Sequence, residues 1–323
     1  MDLTTPIDIE KINNTANQEQ PKIAKLMMNN IRETFANFTR YPGNVRNSVD
    51  LLTFEEGSIM MPYDPDLQTE KKLGAIDKRS LTVDVGMFYI RDEVERYRAT
   101  YLALLEDLTL SEKAKLPFES WYLQTITEVG LQDLWLLPYQ GLKAATTNAV
   151  DITDGYLKKV ADGIDDEDIS VANGNLYELS DAAVDYTSAS IIDELKAQFD
   201  LFPAKRKQFG VDIHIPYEYQ RMYKDCYIST YPNVTDGDVP IDYLDGTNKK
   251  GKLIWESAMG DTKRVIMTVK SNLVYGVDQN TEFGKIIVFR KDSPYYVDAT
   301  AKSVLGFQIR TFNKRDFNCN NLA

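Results

Sequence analysis

The spacing of apolar residues changes character toward the C-terminal third of this chain, from mostly helical steps to mostly short strand-like runs, and that change sets the fold class. From Arg91 to about Leu108, Val94, Tyr97, Tyr101, Leu104, Leu105 and Leu108 make one stripe opposite Glu93, Glu95, Arg96 and Arg98, as an amphipathic helix requires. Pro117 suits a first helical position, where a missing N–H costs nothing. Phe118, Trp121, Tyr122, Ile126, Val129, Leu134 and Trp135 then lead to Pro138, and about twenty helical residues span roughly 30 Å, the length of a structural spine. A weaker helix is predicted from Asp154 to Val160 and a stronger one from Ser188 to Phe202. Val211–Ile215 reads as a strand, Tyr217–Ile228 as a helix, and Leu253–Trp255, Arg264–Val269, Lys285–Arg290, Tyr295–Ala299 and Ser303–Arg310 as short strands. Helices segregated from late antiparallel strands predict an α+β protein.

The N-terminal quarter is different. Residues 1–50 are polar, with a helix predicted from Pro21 to Phe38 on the steps of Ile23, Leu26, Met27, Ile31, Phe35 and Phe38; such an arm has too little core of its own. It is expected to become ordered only against partners, and its bases Lys22, Lys25 and Arg32 are candidates for an inner surface. Residues 51–79 are broken by Pro62, Pro65 and Gly74 and carry Lys71, Lys72, Lys78 and Arg79, before Leu81–Val85 alternates as a strand does. The region reads as an extended hairpin or long loop that returns through that strand.

At 323 residues and 43% hydrophobic content the chain can bury a large core, and roughly 150 residues per domain suggests two domains. Its net charge of −12 argues against a surface that grips nucleic acid everywhere. Most of that charge sits between Asp151 and Asp200, where thirteen acids face three bases, so this segment is expected to belong to a separate lobe. Its center, Asp165–Asp168, lacks the alternate acids, central Gly and closing Glu of a calcium loop and reads as a solvated loop. Cys226 and Cys319 make neither a disulfide framework nor a metal site. The first residues carry Asp2, Asp8 and Glu10 before any apolar run, and no stretch approaches the roughly 18 uncharged residues of a membrane span. A soluble chain in a reducing cytoplasm is expected.

No residue pattern in the chain points strongly to catalysis. The single histidine, His214, alternates with Ile213 and Ile215 on the face of Asp212 and is expected to face solvent or a partner. Gly246–Leu253 matches a phosphate-cradling loop except that Leu253 stands where Ser or Thr should bind magnesium, and a strand is predicted to follow where a helix N-terminus is needed. A basic surface turn is the better reading. Tyr217, Tyr219, Tyr223, Tyr227 and Tyr231 suit core or subunit packing better than a base-stacking platform, because Glu218 and Asp225 interrupt them. No cofactor, metal or catalytic residue is predicted.

Four strings carry a family resemblance: KRSLTVDVGMFYIRDEVERYRATYL (Lys78–Leu102), LPFESWYLQTI (Leu116–Ile126), GVDIHIPYEYQRMYKDCY (Gly210–Tyr227) and GDTKRVIMTVKSNLVYGVD (Gly260–Asp278). Over about residues 75–312 the chain resembles the major capsid proteins of tailed double-stranded-DNA phages, which have the Hong Kong 97 fold. The resemblance implies an N-terminal arm (1–50), an E-loop with its flanking strand (51–90), a peripheral domain with the spine helix (91–150), an axial domain (151–277), peripheral return strands (278–312) and a C-terminal tail (313–323). It implies a structural protein that assembles in the host bacterial cytoplasm into pentamers and hexamers of an icosahedral virion head around double-stranded DNA, held non-specifically. Portal and scaffolding proteins, with or without decoration proteins, would be partners, and no membrane. A shell of the same fold around cargo protein, as in encapsulins, is the alternative. E-loop residues Pro62, Tyr63, Pro65, Lys71 and Lys72 would lie on a neighboring subunit. The acidic Asp165–Asp168 would avoid packaged DNA, whose charge of one per roughly 1.7 Å repels it. Covalent cross-linking of a lysine to an asparagine, seen in some relatives, is not expected.

Overall fold

The computed structural model describes residues 9–54, 76–93, 118–144, 148–179, 185–278, 286–289 and 296–322, with Arg96, Thr100, Tyr101 and Ala103. The first described element is helix α1 (Ile9–Thr34), followed by strands β1 (Thr39–Arg40), β2 (Ser48–Phe54), β3 (Ile76–Thr82) and β4 (Asp84–Asp92). Helices α2 (Phe118–Gln132), α3 (Leu137–Gln140) and α4 (Tyr156–Asp165) come next, then β5 (Leu176–Tyr177), α5 (Ile191–Asp200), α6 (Ala204–Phe209), β6 (Val211–Pro216) and α7 (Tyr219–Thr230). The remainder is strands: β7 (Gly251–Glu256), β8 (Ile266–Thr268), β9 (Leu273–Val277), β10 (Ile287–Phe289), β11 (Val297–Ile309) and β12 (Phe317–Asn320). The α+β class follows.

β11 organizes the first sheet. Thirteen residues long, it pairs antiparallel with β4 from Val297 to Leu305, with β10 near Thr300 and with β9 from Leu305 to Ile309. β1 adds in parallel beside β9. On this sheet lies the larger core, where Leu123, Ile126, Leu137, Tyr139, Tyr156, Phe307 and Ile309 are buried. The second sheet runs β5-β12-β8-β6-β7 and carries a separate core of α5, β6, α7 and β8 residues, among them Leu195, Ile213, Tyr223 and Met267. β2 and β3 form an antiparallel hairpin of their own, Phe54 opposite Ile76.

The arm differs from its expected form. α1 starts at Ile9 and runs through Pro21, which had suited a helix start. Proline forfeits one helix hydrogen bond in such a position, but apolar residues on both sides of it, Ile12 and Ala16 before, Ile31 and Phe35 after, are buried in the larger core. The arm therefore has a core: it packs against α2 of its own chain. The spine helix is present as α2, tightening into a 3-10 turn at Asp133–Trp135, while most of the helix expected from Arg91 to Leu108 lies outside the described residues. Arg91 itself belongs to β4.

The strand expected over Leu81–Val85 is broken at Val83 into β3 and β4. The break crosses Gly306 of β11 so closely that a Cβ there would collide with the Thr82 carbonyl oxygen. Only glycine admits this approach, and the hairpin departs from the sheet at this point. The acidic segment is shared between cores, with Tyr156, Val160 and Ile169 in the first and Leu179, Ile192 and Leu195 in the second. The expected tail is no tail: β12 sits between β5 and β8 inside the second sheet.

Candidate assembly surfaces

A loop that is to reach another molecule needs a fixed root, and the β2–β3 hairpin has one. Leu51 and Leu81, on one face of the hairpin, are buried with Val45 and Val274. On the same face Arg79 lies 3.9 Å from the center of the Phe312 ring and 3.2 Å from the Asp168 carboxylate. Thr311 Oγ1 donates to Asp77 at 3.0 Å, and Gln308 Nε2 to the Ser80 carbonyl at 2.8 Å. These contacts tie β3 to the C-terminal end of β11 and to the acidic loop. Asp165–Asp168 are exposed, and Asp168 spends its charge on the root of the hairpin.

The opposite face of the hairpin is polar near the root, where Lys78 pairs with Asp50 at 2.8 Å, and apolar toward the far end. There Leu52, Phe54 and Ile76 are each more than half exposed. A second apolar surface lies on the first sheet, where alternation sends Val85, Met87 and Tyr89 of β4 outward beside Ile287. Val85 is 64% and Met87 62% exposed. Clustered exposed apolar residues mark sites of association. The strand expected from sequence spans Leu81–Val85 only, and alternation alone does not say which face is covered.

Of the residues singled out from sequence, Pro62, Tyr63, Pro65, Lys71 and Lys72 lie outside the described residues, between β2 and β3 in sequence. Lys22, Lys25 and Arg32 are exposed on α1, where three- and seven-residue spacings put them on one side. His214 is a correction. It is fully buried, its Nδ1 2.8 Å from the Tyr139 hydroxyl and its ring stacked near Phe38. The arm's end and α3 cover the face of β6 that alternation had left open. Beside it Asn37 donates to Glu256 at 2.6 Å, so this junction joins the arm to the second sheet.

Burial pushes the His214 pKa down to about 3 from 6.5 and raises that of Glu256. Because the unfolded histidine still protonates near 6.5, stability from a neutral His214 is full above that pH and is lost as the pH falls toward 3. The loss approaches about 1.4 kcal/mol per pH unit; Glu256 works in the opposite sense. Between pH 6.5 and 5, His214→Gln should remove about 1.6 kcal/mol of acid-induced destabilization, measured as the difference in urea unfolding between variant and parent. Parallel pH profiles would contradict the assignment.

The near match to a phosphate loop resolves into a hairpin turn. Asn248 and Lys249 both have positive φ, 52° and 62°, and Lys250 N–H donates to the Thr247 carbonyl at 3.0 Å, as in the tight turns that join antiparallel segments. β7 follows, so no helix N-terminus faces the loop. Both cysteines are buried and free. Among the described residues no cluster of His, Cys, Asp and Glu could hold a metal, and no helix is long and apolar enough to cross a membrane.

No family-level sequence profile and no curated protein matches the chain. Solved structures do. The satellite phage P4 procapsid, which includes the size determination (Sid) protein, matches at a TM-score of 0.55 and 12% identity over 92% of this chain and 98% of that one. The capsid of a native GTA particle matches at 0.54 and 13% identity over 89% of each chain, and that of an empty GTA particle at 0.51 and 12% over 88% and 94%. At nine-tenths coverage of both partners, the chain has the fold of phage capsid subunits, the Hong Kong 97 fold.

Proposed function

We propose that this chain is the major capsid protein of a tailed double-stranded-DNA phage, assembling into the pentamers and hexamers of an icosahedral head. The carrying observation is the capsid fold over nine-tenths of the chain together with a rooted hairpin whose exposed end is apolar. Residues 51–90 act as the E-loop and its flanking strand β4, α2 as the spine, and residues 151–277 as the axial domain, built on the second core. Each contact between copies can be modest, because a closed shell multiplies them. DNA is held loosely through phosphate, and portal and scaffolding proteins complete the head. Expressed with its neighboring genes, the protein should sediment as particles far above its 36.8 kDa monomer mass; monomers alone at micromolar concentration would contradict the proposal.

The shell is held without covalent cross-links. Of the C-terminal asparagines that could receive a lysine, Asn318 and Asn320 are fully buried in β12 and bonded to Gln198, Val265 and Tyr186, which leaves Asn313, half-buried, and Asn321, exposed, as the accessible acceptors. Particles boiled in detergent should run as one band near the monomer mass, whereas a ladder of multimers would contradict this.

A further inference from the structure

Phe209, at the end of α6, is 70% exposed, more than any other large apolar side chain among the described residues. It stands beside the turn that carries Lys249 and Lys250, since the Val211 N–H donates to the Lys250 carbonyl at 2.8 Å. Both lysines are exposed and form no ion pair among the described residues. The starts of β6 and β7, in register at Val211 and Gly251, thus bring a protruding aromatic and unpaired positive charge together.

The other end of β6 is its complement. There Tyr217, Glu218, Arg221, Lys224, Asp225 and Asp236 line an open concavity of about 590 Å³. Lys224 is engaged with Asp236 at 3.4 Å, while Glu218, Asp225 and Arg221 have no ion-pair partner among the described residues, which leaves the socket with a net negative charge of one. Knob and socket lie roughly 20 Å apart along a six-residue strand and cannot meet within one copy.

Resting on the capsid reading above, we infer that the Phe209–Lys249–Lys250 knob of one copy enters the Tyr217–Glu218–Asp225 socket of the next. Two unlike patches at opposite ends of one element make a head-to-tail contact, which closes into a ring when the rotation between copies is a fifth or sixth of a turn. This is the geometry a pentamer or hexamer needs. The exposed aromatic favors a protein partner over phosphate, because interface centers use buried aromatics with charges around them, and the matching acids are on the same chain.

The full-length protein tests this through charge exchange. Lys249→Glu with Lys250→Glu reverses the knob, and Glu218→Lys with Asp225→Lys reverses the socket. Each pair should raise the concentration needed for ring and shell formation by about tenfold or more, and the four changes together should bring it back to within about threefold of the parent. Phe209→Ser should weaken assembly by about tenfold without changing urea unfolding. Reversed pairs that assemble like the parent, or a fourfold variant as impaired as either pair, would overturn the contact while leaving the capsid reading intact. So would a knob variant that builds normal shells containing less DNA, which would give the lysines to nucleic acid. A parent that forms no rings would overturn both.

Discussion

Deleting residues 62–73 is expected to leave a folded subunit that forms no shells. The deletion falls between Phe54 and Ile76 in sequence, so it removes no residue of the Leu51–Leu81–Val274 cluster and none of the contacts of Arg79 with Asp168 and Phe312 that root the hairpin. Urea unfolding of the shortened protein should match the parent within about 0.5 kcal/mol, as for surface changes away from the core. Assembly should fall to nothing detectable by sedimentation, because an interaction missing from every copy is missing from the whole shell at once. Normal shells from the deletion would remove the hairpin from the mechanism.

The second large effect concerns the arm. Phe35 is buried with its ring 5.2 Å from that of Tyr275 and 5.4 Å from that of Phe307, both edge-on. Phe35→Ala should cost the free subunit about 3–5 kcal/mol, the range for a large aromatic removed from a packed core. That result separates two views of the arm. If it ordered only in the shell, the substitution would leave the free subunit untouched, and a loss below about 1 kcal/mol would restore that view.

Much of the interior was legible because it rests on apolar periodicity. α2, α5 and β6 lie close to where spacing placed them, and β3 with β2 forms the hairpin that the prolines and the alternation of Leu81–Val85 suggested. β12 was illegible for the opposite reason. Phe317 and Cys319 do alternate with Asn318 and Asn320, but over only four residues, and alternation leaves the asparagines wet, whereas they are fully buried with their amides satisfied by Gln198, Val265 and Tyr186. His214 was misplaced because alternation assumes one wet face, whereas β6 is covered on both sides by α7 and by the arm's end with α3. The early start of α1 was hidden by Pro21, whose preference for the first turn outweighed the sparse apolar residues before it.

The assembly surfaces were the least legible part. Arg79 looked like one base among several on a loop, and only the fold brings Asp168 and Phe312 to it from 89 residues and more away in sequence. Phe209 and the Lys249–Lys250 turn are about 40 residues apart and meet because β6 and β7 run in parallel register. Contacts set by topology are invisible to local spacing, so a surface built from them has to be read in three dimensions.

The most direct test is electron cryomicroscopy of the protein expressed with its neighboring genes. Closed icosahedral shells should appear, built of pentamers and hexamers, with the β2–β3 hairpin of each subunit lying across an adjacent subunit. Particles of the expected mass in which that hairpin folds back on its own subunit, or preparations holding only monomers, would contradict it.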